Sequence, residues 1–323
     1  MLLSFLIVSV LVTVSISTRT FHPDDPWETW KNLFGKRYNT QDEEYLRLNI
    51  WLQNAMKVIN HNVDFKLGKA SFSLALNHLT DLTDEEFVNI DLGVGDGLRS
   101  ERQMDRDFGK HLIIKLRYFP LSSQKRCGAC YAFSALGAIE GQLTKNGLPL
   151  TSLSEQQIVD CAKGFTAYGC SGGRPSGAFK YIKKYGIMSQ KNYPYKAKVR
   201  VCVLYIYLHI YVRCERCCVI KPKTEKALGN AVATIGPISV LVTSNTNNFR
   251  HYKNGILYDT ECTPRKPVDH GMLLVGFGEE NGQKYWILKN SWGKRWGKNG
   301  YVYLARDRGN HCKIASAATY PVL

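Results

Sequence analysis

The chain has 323 residues, 44% of them hydrophobic, which is enough apolar content to core one large domain or two smaller ones. Its formal net charge of +16 is unevenly placed: residues 1–100 hold 9 basic and 13 acidic residues, against 43 and 27 in the whole chain. No nucleic-acid motif accompanies the basic remainder, so the excess reads as a solvated basic surface, or as a surface on which the acidic front docks.

Residues 1–17, "MLLSFLIVSVLVTVSIS", are apolar, too short to span a membrane, and end in small residues. They read as a signal peptide cleaved near position 17. No other segment approaches the roughly 20 apolar residues of a spanning helix, so the expectation is a secretory-pathway protein with no membrane association. Ten cysteines, all between Cys127 and Cys312, fit that oxidising route.

Two helical periodicities follow. The first carries Trp27, Trp30 and Phe34; the second carries Leu46, Ile50, Met56 and Ile59, with Asp42, Glu43 and Glu44 in its first turn. "ASFSLALNHLTDLTDEEF" predicts a strand passing into a helix with a Thr83–Glu86 capping box. Residues 88–110 read as an exposed linker. Beyond irregular sequence to about residue 126, helices are expected from Cys130 to Lys145, after the cap Ser154, over "SGAFKYIKKYG" and over "TEKALGNAVATIG". After Pro237 the pattern turns to strands: "ISVLVT", "GMLLVGFG", "KYWILKNSW" and "GYVYLAR". Helices first and strands later predict an α+β fold or two subdomains.

The chemistry gathers around "QKRCGACYAFSALGAIEGQ", residues 124–142. A thiolate nucleophile needs a stabilised anion, a base, and donors for an oxyanion. Cys130 opens a helix, whose positive end favours the thiolate. His270 begins one strand and Asn290 ends the next, and the short "EENGQ" connection makes these hairpin neighbours. An amide oxygen accepting from one imidazole nitrogen leaves the other for sulfur. Gln124 offers a side-chain N–H, and the Cys130 backbone a second, to an oxyanion. A redox reading of Cys127 and Cys130 requires a thioredoxin-like βαβ context that is absent. A zinc site at Cys214, Cys217 and Cys218 with His209 has crowded spacing and no second ligand pair.

"CGACY" matches the C-G-[SA]-C-[WY] signature of papain and the cathepsins, and His270 lies 140 residues downstream and Asn290 160. The chain resembles papain-like cysteine peptidases of the cathepsin L, K and S group. Glu43, Arg47, Trp51, Asn54, Val58 and Asn62 resemble one propeptide motif of that group, and Ala75, Asn77, Leu79 and Asp81 resemble a second. "LSEQQIVDC", "GCSGG", "YPY", "GPISV" and "KNSWG" are also family-like.

The resemblance implies a papain-like fold, a helical subdomain plus a β-barrel-like one, behind an α-helical inhibitory propeptide. It implies a signal peptide over 1–17, a propeptide over 18–108 and a peptidase domain over 109–323. It implies a cysteine endopeptidase without cofactor or metal, made as an acid-activated zymogen. Cys130 would be nucleophile, His270 acid–base partner, Asn290 orienter and Gln124 oxyanion donor. Trp292 would shield the His–Asn pair. Gly172 and Gly173 would bind substrate backbone, and Arg174, Pro175, Gly271 and Ala317 would line the pocket for the second residue before the scissile bond. Disulfides Cys127–Cys170, Cys161–Cys202 and Cys262–Cys312 are implied. So are protein and peptide substrates, cystatin-like inhibitors, a monomer, and a lysosomal or extracellular location.

Several positions depart from the pattern. Lys125 and Arg126 stand beside the oxyanion donor, Lys125 where the turn normally takes Gly. Tyr131 replaces Trp, Arg174 replaces an apolar residue, and the apolar run "VLYIYLHIYV" (203–212) replaces a polar loop. These departures leave an inactive homologue acting as a binding protein as the alternative. A transglutaminase-like acyl transferase is a third class, against which the propeptide motifs argue.

Overall fold

The computed structural model describes residues 25–89, 112–113, 122–203, 210–263 and 265–323, with side chains except at 88–89 and 112–113. The expected signal peptide, most of the linker, the irregular start of the back half up to residue 121, and residues 204–209 (with His209) lie outside the described residues. Among the described residues no helix is long and apolar enough to cross a membrane.

The chain divides into two compact units, residues 1–48 and 49–323. In the first, α1 (Pro26–Phe34) is capped by Asp25, whose carboxylate accepts from Trp27 N at 2.8 Å. Lys31 pairs with Glu28 at 2.7 Å and with Glu44, tying α1 to the start of α2 (Gln41–Lys66).

In the second unit α2 buries Trp51, Asn54, Ala55 and Val58. This corrects the expected apolar face: Leu46, Met56 and Ile59 are 52–56% exposed. The inward face is offset from that stripe because Asn54 and Asn62 belong to it, held by backbone partners on the segment that follows. Asn54 donates to Thr80 O and Leu82 O at 2.8 and 3.1 Å, and Asn62 exchanges two 2.8 Å bonds with the Leu74 backbone. These amides lash α2 to β1 (Phe72–Leu74) and to the turn before α3 (Asp84–Asn89). The capping box is present, with Glu86 N donating to Thr83 Oγ1 at 3.0 Å and Thr83 N to Glu86 Oε2 at 2.9 Å.

The remaining elements are β2 (Leu112–Ile113), α4 (Cys130–Lys145), α5 (Glu155–Cys161), α6 (Pro175–Tyr185), β3 (Ile187–Met188), β4 (Ile210–Val212), β5 (Arg216–Val219) and α7 (Glu225–Thr234). They continue with β6 (Ile238–Val242), α8 (Asn247–His251), β7 (Tyr252–Leu257), β8 (His270–Glu280), β9 (Gln283–Lys289), β10 (Tyr301–Ala305) and β11 (Ala318–Val322). Among the described residues the main sheet has nine strands, ordered β1-β7-β10-β9-β8-β6-β11-β5, with β2 added to β8. Asn281 and Gly282, both at positive φ, turn β8 into β9 so that Glu280 faces Gln283.

Strand alternation then divides two cores. Met272, Leu274, Trp286, Leu288, Val302 and Leu304 face one core, which also takes Phe72, Leu74, Leu79, Leu82 and Phe87. Leu273, Val275, Tyr285, Ile287 and Tyr303 face the other, against α4, α5 and α6. The α+β reading holds. Of the apolar run 203–212, β4 is a half-exposed strand paired with β3, with Tyr211 40% exposed.

Candidate active site

Helix α4 is brought to the sheet by small residues. A Cβ on Gly137 would lie 2.7 Å from Leu273 Cδ2, and Ser134 Oγ donates to Met272 O at 2.6 Å. The same approach continues to the helix start. A Cβ on Gly271 would stand 3.1 Å from the Cys130 carbonyl carbon and oxygen. His270, the first residue of β8, is therefore held next to Cys130, the first residue of α4.

His270 Nε2 lies 2.8 Å from Asn290 Oδ1. The same oxygen accepts from Ser291 N at 2.8 Å, which settles the amide orientation. Nε2 must then donate, and Nδ1 is the imidazole nitrogen turned away from Asn290. His270 is 1% and Asn290 2% exposed. The Trp292 ring covers the imidazole with centroids 4.8 Å apart, backed edge-on by Phe249 and Trp296.

Gln124 is buried, and its Oε1 accepts from Ser291 Oγ at 2.5 Å, so Nε2 is the donor end of that amide. Gln124 N donates to Ser291 O at 2.9 Å and Tyr195 OH to Gln124 O at 2.7 Å, fixing the backbone of the segment. Lys125 next to it holds φ 55°, a left-handed conformation that disfavours lysine.

A cleft of about 410 Å³ is lined by Cys130, Gly128, Cys170–Gly173, Ser244, Asn245, Asp269, Trp292 and Phe87. Gly172 holds φ 93° and ψ −173°, a region that only glycine occupies at ease. A Cβ on Gly128 would meet Cys170 O at 2.7 Å, so Gly128 lets the two walls touch. Cys127–Cys170 locks this contact, and Cys161–Cys202 and Cys262–Cys312 are the other two bridges. Of the residues expected to line a specificity pocket, Gly271 abuts Cys130, and Ala317 O accepts from Leu241 N, cross-strand from Gly271. Arg174 is exposed and Pro175 buried at the start of α6, outside the cleft lining.

Behind the site lies a group the sequence reading missed. Glu140, Glu155 and Lys289 surround a small cavity that Asn290 and Ser291 also line. Burial pushes the Glu140 carboxyl up to about 8 and the Glu155 carboxyl up to about 7, and it holds the Lys289 ammonium below its ordinary value. A glutamate in mid-helix (Glu140), one in the first turn of α5 (Glu155) and a strand lysine carry no sequence signal of burial. Among the thiols outside the bridges, Cys214 and Cys217 are pushed up to about 11 by burial, which makes them unreactive.

Residues 72–87 occupy the same surface. β1 pairs antiparallel with β7, placing Phe72 opposite Gly255. Asn77 Nδ2 donates to Arg250 O at 2.9 Å. The Arg250 guanidinium pairs with Asp84 at 2.8 Å, donates to Leu82 O at 3.2 Å and lies 4.2 Å from the Phe87 ring centroid. Phe87 packs edge-on against Trp292 and so closes the cleft floor beside His270. The acidic front does meet the basic back at Asp84–Arg250, yet most of this docking is apolar and backbone hydrogen bonding.

Comparison with known proteins agrees with this geometry. Residues 115–322 match the papain family cysteine protease model, and residues 27–87 match the cathepsin propeptide inhibitor domain. The chain is 38% identical to procathepsin L of Mus musculus over 339 residues, covering 100% of this chain and 98% of that one. It is 39% identical to cathepsin L2 of Homo sapiens, covering 92% of both. The solved digestive procathepsin L 3 of Tenebrio molitor larval midgut superposes with a TM-score of 0.81 at 36% identity, over 92% of this chain and 98% of that one. A buried imidazole–amide pair beside a helix-opening cysteine, with an inhibitory segment packed over it, is thus accounted for: this chain belongs to the papain family of cysteine proteases and carries a cathepsin-type propeptide ahead of the peptidase.

Proposed function

We propose that Cys130 is the nucleophile of this cysteine endopeptidase, with His270 as its acid–base partner, Asn290 as orienter, and Gln124 Nε2 with the Cys130 N–H as oxyanion donors. The observation that carries this is the 2.8 Å His270–Asn290 contact beneath Trp292, on the residue adjoining the Gly271–Cys130 contact. The Cys130 thiol gives its proton to His270 Nδ1, the resulting thiolate attacks a peptide carbonyl, and the tetrahedral oxyanion is held by the two donors. His270 Nδ1 delivers a proton to the leaving amine, and the imidazole then takes a proton from the water that hydrolyses the thioester. Gly172 and Gly173 would bind the substrate backbone before the scissile bond, and Gly271 and Ala317 would border the side chain two residues before it, with Arg174 and Pro175 set back at the start of α6.

A signal peptide over 1–17 directs the chain to the secretory pathway, a propeptide over 18–108 is removed at acidic pH, and residues 109–323 act as a monomer in lysosomes or outside the cell. Cystatin-like proteins would inhibit it. The left-handed Lys125 beside the oxyanion donor favours one competing reading, a folded homologue without turnover. Acid activation followed by titration with an epoxysuccinyl thiol reagent, with a dipeptidyl fluorogenic amide as substrate, separates the two. Turnover that vanishes with the label and in Cys130→Ser is expected; a processed, folded protein that neither labels nor turns over refutes the assignment.

A further inference from the structure

His270 hands its proton to the leaving amine, so residues after the scissile bond must run past His270 and Trp292, away from Gly172 and Gly173. Two chain segments meet at that end. Ser123 and Trp292 form an antiparallel bridge, Gln124 N donates to Ser291 O at 2.9 Å, and a Cβ on Gly293 would lie 3.8 Å from Ser123 Cβ. The residues that leave this clamp are Lys125 and Arg126 on one segment and Lys294 and Arg295 on the other, all four exposed. Lys266, half-buried, adds a cation by donating to Asn245 O at 3.2 Å on the cleft wall. Against these stands Asp269, the one carboxylate lining the cleft among the described residues. It accepts from Ser244 N, Ser244 Oγ and Asn245 N at 2.7 to 3.1 Å, so its lone pairs already brace the Ser244–Asn245 turn.

We propose that Lys125, Arg126 and Lys294 form a cationic rim that makes this peptidase selective for substrates with acidic side chains in the first positions after the scissile bond. The proposal rests on the Cys130–His270 assignment, which fixes the direction of the leaving chain. Exposed charges a few ångströms apart in water supply a modest effect each, so two or three cations acting on one or two carboxylates give about a tenfold preference. The preference is screened by salt, because the Debye length falls from about 10 Å at 0.1 M to about 3 Å at 1 M.

The test uses the processed full-length product and two internally quenched peptides, identical up to the scissile bond and carrying Glu-Asp or Lys-Lys after it. Both are assayed at about pH 5.5, where the acidic side chains are ionised. Concentrations are set by titrating the active-site thiol. The expected ratio of kcat/KM, acidic over basic, is about ten at low salt, and it falls below about three near 1 M salt and in the Lys125→Gln, Arg126→Gln, Lys294→Gln variant. The single variants should each lower the ratio, which keeps the test intact if the triple variant folds poorly. An enzyme that titrates and cleaves the two peptides equally, or whose ratio ignores both salt and the substitutions, overturns the rim and leaves the peptidase assignment standing. Failure to cleave either peptide overturns both.

Discussion

Arg250 is where the latency of the zymogen can be weighed. The side chain is 1% exposed, while its partner Asp84 is 70% exposed. An ion pair with one partner that open to water is worth about 0.2–1 kcal/mol. The bond to Leu82 O carries about 1.5 kcal/mol, at the low end for a charged donor, because Asn54 also serves that carbonyl. The desolvated stack on Phe87 adds about 1 kcal/mol. Arg250→Met, which keeps the stem but removes the guanidinium, should therefore weaken propeptide docking by about 2.7–3.5 kcal/mol, or about 80- to 300-fold. Asp84→Asn should weaken it less than about fivefold. The assay is the labelling rate of Cys130 by a small alkylating reagent in the intact zymogen near neutral pH, which reads the fraction of uncovered sites. Equal effects of the two substitutions, or no faster labelling of Arg250→Met, would refute this division of the docking energy.

Asn290→Ala should lower kcat about 10- to 100-fold with little change in KM, and shift the pH–rate profile, since the imidazole loses the acceptor that sets its tautomer. Gly128→Ala places a Cβ 2.7 Å from Cys170 O, so the Cys170–Gly173 wall must move; a raised KM on a dipeptidyl amide and a lower melting temperature are expected. Glu155, held up to about 7 by burial, has a folded value above its unfolded one of about 4.3, so its contribution is full at low pH and is lost as pH rises through about 7. Glu155→Gln should gain on the order of 2 kcal/mol relative to the parent between about pH 5 and pH 8 in urea titrations; a pH-independent difference would mean that Lys289 keeps the carboxylate ionised throughout. Lys125→Gly should stabilise the fold by about 1 kcal/mol, read from the urea midpoint, because glycine tolerates the positive φ at that position.

What the sequence disclosed follows from which signals are local. Caps and periodicity are local: Ser154 accepts from Gln157 N and Thr224 from Ala227 N, and the helices after them lie where the pattern places them. The Cys130, His270 and Asn290 positions were legible through motif spacing and hairpin logic, and the three disulfides only through family resemblance. Strands β5, β7 and β11 escaped because "RCCV", "YKNGIL" and "ATYPV" lack a clean alternation; they are specified by neighbours distant in sequence, such as Thr319 against Val219 and Tyr303 against Ile256. The offset on α2 has the same origin. Asn54 and Asn62 face inward because β1 and the Thr80–Leu82 turn offer them carbonyls, information no window around the helix contains.

Propeptide docking and the cover of the His270–Asn290 pair share one aromatic platform. Phe249 and Trp292, backed by Trp296, pack against the His270 imidazole and share one apolar cluster with Phe87, Leu79 and Leu82. Trp296 Nε1 donates to Arg250 O at 3.0 Å, and that same carbonyl accepts from Asn77 of the propeptide at 2.9 Å. Burying this surface under the propeptide stabilises the zymogen by apolar contact, which is insensitive to pH. Loss of the Asp84–Arg250 pair alone therefore does not release the segment. Release requires either proteolysis beyond the docked residues or the loss of the β1–β7 pairing that holds Phe72 opposite Gly255. The residues that keep water from the His270–Asn290 pair in the mature enzyme are thus the ones the propeptide must abandon for the cleft to open.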